Sequence, residues 1–145
     1  MEVPSQAADH IFEAELVRGS VLRTEMQFPN GMKKPKYIIV LNKIPADSTT
    51  LLFLTTSQVD FYDRHPKVDH IRIQANSLPC FPKETIIDCR EVWPMDRVIL
   101  KKRYQQGTLK FDAVLPAAHM EQIDRLVASS RFISLRYKKL ILGWS

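Results

Sequence analysis

The chain of 145 residues has only four glycines and two cysteines, and those two scarcities already exclude several classes of protein. No Gly-x-x-x-x-Gly-Lys or Gly-x-Gly-x-x-Gly can be found, so neither a P-loop nor a dinucleotide-binding turn is available to cradle phosphates. Cys80 and Cys89 form no C-x-x-C pair and no disulfide framework, which fits a reducing compartment. The longest apolar runs, Tyr37 to Leu41 and Leu51 to Leu54, fall far short of the roughly 20 residues a membrane-spanning helix needs. The first residues carry Glu2, Asp9, Glu13 and Glu15 in place of a basic and then apolar leader. The reading is a cytoplasmic protein with no membrane association.

Histidine is sparse as well. His10, His65, His70 and His119 are scattered, with no H-x-x-x-H spacing and no cysteine-rich partner, so no metal site and no cofactor is expected. Gly-x-Ser-x-Gly is missing too.

What the chain does have is positive charge in clusters. It carries 21 Lys and Arg against 16 Asp and Glu, a net +5. Eleven of those cations fall in three segments free of acids: Lys33, Lys34 and Lys36; Arg97, Lys101, Lys102 and Arg103; and Arg131, Arg136, Lys138 and Lys139. Each phosphate neutralised by such residues releases counterions, so a polyanion such as nucleic acid is a candidate ligand; a solvated face that keeps the protein soluble is the plainer alternative.

One domain is expected at this length. The apolar spacing of Ala7, Ile11, Phe12, Ala14 and Leu16 predicts a short N-terminal helix ending near Val17. Strands are predicted over 21–28, 36–41, 50–55, 68–75 and 85–89, with a basic loop before Lys36 and a turn over 45–49. Residues 57–67 show neither periodicity and read as an extended loop. Arg97 to Tyr104 and Leu109 to Val114 flank Gly107 and read as a hairpin. Met120, Ile123, Leu126 and Val127 predict a helix after Pro116, and the tail fits helix or strand. The fold class is mainly β with helices (α+β), a small, curved antiparallel sheet or barrel.

Several motifs, in order, carry a resemblance. Gly19-Ser20-Val21 opens a strand, Lys33-Lys34-Pro35 precedes the run Tyr37 to Leu41, and Leu54-Thr55-Thr56-Ser57 ends the next strand. Thr85 to Arg90 leads to Met95-Asp96-Arg97, and Gly107-Thr108-Leu109 precedes a terminal helix. Over residues 19–128 the chain resembles the MazF/PemK family of toxin endoribonucleases, with 1–18 and 129–145 as extensions. The resemblance implies an SH3-like barrel, a homodimer, metal-independent cleavage of single-stranded RNA, and neutralisation by an antitoxin. The family's arginine before proline is Lys34 here, and Ser20 replaces its usual acid.

Carried onto this sequence, the resemblance puts Lys34 on the scissile phosphate and Thr55 beside it as donor or proton relay, with Thr56 as the register alternative. A lysine is a point charge where a guanidinium would clamp two oxygens. For RNA binding, Lys33, Lys36, Arg64, Lys101, Lys102 and Arg103 supply cations; Phe61 and Tyr62 suit either base stacking or closure of the core. Trp93 reads as a core or dimer contact. A barrel that binds RNA or protein without cutting is the competing reading, and Lys34 is the feature that favours it; a third is a structural domain whose basic face holds an acidic partner. Acids Glu13 and Glu15 on the first helix suggest an internal competitor for phosphate.

Overall fold

The computed structural model describes residues 5–43 and 49–144; the turn expected over 45–49 lies, apart from Thr49, outside them. The elements in chain order are α1 (Ser5–Glu15), β1 (Ser20–Gln27), β2 (Lys33–Val40), β3 (Thr49–Thr56), α2 (Val59–Arg64), β4 (His70–Ile73), β5 (Thr85–Asp96), α3 (Arg97–Gln105), β6 (Lys110–Val114), α4 (Ala117–Ser129) and α5 (Leu135–Leu142). The six strands form one antiparallel sheet in the order β4-β5-β3-β2-β1-β6. It curls into a half-barrel.

Period-two alternation along the strands builds two apolar layers. On one face Val21, Ile39, Phe53 and Ile87 pack with Met120, Ile123 and Val127 of α4 and with Ile141 of α5. On the other, Leu22, Met26, Ile38, Leu52 and Leu54 pack with Phe12 of α1 and Leu100 of α3. The sheet is therefore covered by helices on both sides. Burying each such Leu, Ile or Phe side chain contributes about 1.5–3 kcal/mol, and this alternation fixes which side chains share a face.

Three expectations are corrected. Residues 97–104 are not a hairpin strand: they form α3, because the Asp96 Oδ1 accepts from the Val98 N–H at 2.8 Å and caps the helix. Leu100 and Tyr104, four residues apart, then meet Phe12 from the same side of the helix. Gly107, at φ +77°, turns the chain back into β6. Residues 57–67 are not wholly extended either, since 59–64 wind into α2 and bury Tyr62. The basic stretch 33–36 lies within β2 rather than in a loop before it.

Strand β5 carries the main irregularity. A step of two residues on β3, Leu52 to Leu54, faces a step of five on β5, Trp93 to Asp88. The extra residues, Cys89 to Val92, form a bulge that includes Arg90, and such bulges re-aim side chains at sheet edges and sites.

Candidate nucleic-acid interface

The register of β1, β2 and β3 decides what the basic segment can reach. Lys34 stands opposite Met26 and Lys36 opposite Thr24. Both lysines therefore leave on the face covered by α1 and α3, as does Thr56, two residues from Leu54. Lys33 and Thr55 leave on the opposite face, with Tyr37 and Phe53. The expected pairing of the Lys34 and Thr55 side chains is thus not formed. Thr55 is buried, and its hydroxyl donates to the Tyr37 carbonyl at 2.8 Å. Thr56 accepts from the Gln58 N–H at 3.2 Å and faces the same groove as Lys36.

That groove, of about 380 Å³, is lined by Phe28, Lys36, Thr56, Phe61, Tyr62 and Arg90, with Leu54 and Asp88 among its further walls. Lys36 is half-buried, and its Nζ lies 3.5 Å from the Thr55 carbonyl oxygen. Burial, and then the neighbouring charge of Lys34, hold the Lys36 amine below the ordinary lysine value. Phe61 and Tyr62 meet edge to face with centroids 5.1 Å apart; Tyr62 closes the core beneath the groove while Phe61 remains half-exposed.

Sequence reasoning missed Asp88 and Arg90. Arg90 binds Asp88 in a fork, Nε to Oδ1 at 3.0 Å and Nη2 to Oδ2 at 2.8 Å. Its guanidinium carbon sits 5.2 Å from the Phe61 ring centroid and 5.9 Å from that of Tyr62. Burial raises the Asp88 carboxyl, but the bonds from Arg90 outweigh it and leave the group below its ordinary value. Burial and the Asp88 charge together raise the Tyr62 phenol, keeping it protonated. The signal in the sequence was Asp88-Cys89-Arg90 itself, opposite charges two apart around an apolar residue, the spacing that puts both on one face of a strand.

The other expected RNA-binding cations, Lys33, Arg64, Lys101, Lys102 and Arg103, do not line this groove. Arg64, at the end of α2, lines an adjoining hollow with Arg90. Lys101, Lys102 and Arg103 lie on α3. Arg103 Nη1 donates to Thr24 Oγ1 at 3.2 Å and to the Glu25 carbonyl at 2.5 Å, which brings it beside the residue paired with Lys36. Lys102 is exposed. Glu13 of α1 sits against α3, ion-paired to Arg97 and 3.8 Å from Lys101; its charge meets α3 rather than the Lys36 groove. Trp93 is half-buried, edge to face with Phe28 at 5.9 Å.

Among the described residues no group of three or more His, Cys, Asp or Glu is arranged to hold a metal ion, both cysteines are free, and no helix is long and apolar enough to cross a membrane. No protein-family model matches the chain, and no curated protein matches it in sequence.

Proposed function

We propose that this protein is a metal-independent endoribonuclease that cleaves single-stranded RNA in the groove between Lys36 and Arg90, and that it acts as the toxin of a type II toxin-antitoxin pair. The observation that carries the reading is the half-buried Lys36 amine, held below the ordinary lysine value, in a groove that also presents Arg90, Thr56 and the aromatic Phe61. Cations and an exposed ring are what a splayed single strand requires. On this reading the half-barrel is an SH3-like barrel, the working form is a cytoplasmic homodimer, and an acidic antitoxin competes with RNA for the cations.

The chemistry follows from those groups. In its neutral form, Lys36 takes the proton of a ribose 2′-hydroxyl as that oxygen bonds to phosphorus. The P–O5′ bond breaks, and the proton that Lys36 has taken passes through the Thr56 hydroxyl to the leaving oxygen. Lys34 and Arg90 offset the charge on the phosphorane. The products are a 2′,3′-cyclic phosphate and a 5′-hydroxyl. A positioned acid or base of this kind contributes about 10²- to 10⁴-fold.

A second reading, an RNA-binding barrel without the chemistry, is favoured by one observation: the Thr55 hydroxyl is committed to the Tyr37 carbonyl, on the face away from Lys34. Incubating the protein with long single-stranded RNA in EDTA separates the two. Discrete fragments with cyclic-phosphate ends support the nuclease; intact RNA with salt-sensitive binding supports the binding module.

A further inference from the structure

Beyond the Lys36 groove, Arg90 also lines two more hollows, of about 590 and 470 Å³, and between them stands Phe132. At 83% exposed, Phe132 is the most exposed large apolar side chain among the described residues. Its backbone is nonetheless firmly held. Ser130 Oγ accepts from the N–H groups of Phe132 and Ile133 at 3.1 and 3.2 Å, Ile133 is buried next to it, and Lys138 Nζ donates to the Ser130 carbonyl at 2.6 Å. A short, bonded turn thus presents a bare ring to solvent. The first hollow is lined by Arg64, Lys67 and Arg90 against the single acid Asp69, and Arg131 precedes the ring.

We propose that Phe132 is a stacking platform for a base of single-stranded RNA whose backbone runs from the Lys36 groove across Arg90. The inference deepens the reading of that groove and rests on it for the identity of the ligand. Two features select a nucleic-acid strand over an apolar peptide. The first hollow sets three cations against one acid beside the ring, and Arg90 lines all three concavities, which places them side by side on one surface. An aromatic face beside guanidinium groups accepts any base, because every base has a π-face.

The test is the affinity of a ladder of uncleavable 2′-O-methyl oligonucleotides, from trimers to dodecamers, for the full chain and for Phe132→Ala and Phe132→Trp. The expected result is a step in affinity once the strand is long enough to reach Phe132. Phe132→Ala abolishes that step, weakening long strands by about 5- to 100-fold while leaving the shortest unchanged, and Phe132→Trp keeps it. Unchanged affinity of Phe132→Ala for every length overturns the platform and leaves the groove reading standing. Failure of the unaltered protein to bind any strand overturns both. An acidic peptide whose binding depends on Phe132, with RNA indifferent to it, assigns the ring to a protein partner and overturns the proposal.

Discussion

Arg90 grips Asp88 through two nitrogens on two oxygens, at 3.0 and 2.8 Å, at the bulge where β5 departs from its register with β3. The fork orients the guanidinium beside the Phe61 ring. Asp88→Asn removes the charge from the fork, and the expected loss of stability at neutral pH is about 1 kcal/mol, since Arg90 is partly solvated. Because burial raises the Asp88 carboxyl less than Arg90 lowers it, the folded-state value lies below the unfolded one. The stabilisation is therefore present above the unfolded value of about 3.9 and lost as pH falls through the folded value. Urea unfolding of both proteins from pH 7 down to pH 2 checks this; a gap that persists at the acid end contradicts it.

The adjacent threonines separate stability from function. Thr55→Val leaves the buried Tyr37 carbonyl without its hydroxyl donor, so about 1 kcal/mol of stability is lost with little change in RNA cleavage. Thr56→Val does the reverse. Thermal unfolding and cleavage rates measured side by side decide the matter, and equal effects of the two variants contradict the assignment of faces.

Lys36 titrates below the ordinary lysine value because of burial first and Lys34 second. The unfolded chain consequently holds its proton to higher pH, and stability rises with pH between the folded value and about 10.4. Lys36→Met is expected to be more stable than the unaltered protein at neutral pH, with the gap narrowing as pH climbs through that window. Lys34→Ala moves the Lys36 titration upward, and the pH at which cleavage reaches its plateau moves with it. Titration of ¹³C-methylated lysines by NMR reads the shift directly.

On α3 the two neighbouring cations have different tasks. Arg103→Ala removes bonds to Thr24 and to the Glu25 carbonyl, so the helix is held less tightly and the protein is destabilised. Lys102→Ala leaves stability unchanged and weakens RNA binding, lowering the slope of log affinity against log salt by about 0.7 if it meets one phosphate. A salt titration of both variants distinguishes them.

Strand β1 and α4 were legible from their period and β3 from its unbroken apolar run: Leu22 to Gln27 alternates, Leu51 to Leu54 is buried throughout, and Met120, Ile123 and Val127 recur at helical spacing and are buried. Residues 97–105 were misread because Val98, Ile99 and Leu100 look like a strand one residue at a time. The deciding signals are the Asp96 cap and the cations Lys102 and Arg103 in the last turn. The helix 59–64 is too short to show a period. At the candidate site, the lysines and aromatic residues could be named from composition and order, but not the faces they share. The sheet register puts the Lys36 and Thr56 side chains on one face and the Thr55 side chain on the other, and pairing between distant strands is not written in any local stretch of sequence.

The most direct test of the account is an NMR titration of the ¹⁵N- and methyl-labelled protein with a single-stranded RNA carrying 2′-O-methyl groups, which cannot be cut. Binding at the proposed groove predicts shifts that cluster at Lys36, Thr56, Phe61 and Arg90. Shifts that cluster instead around Tyr37, Cys80 and Phe81 on the opposite face, or no shifts at all, contradict it.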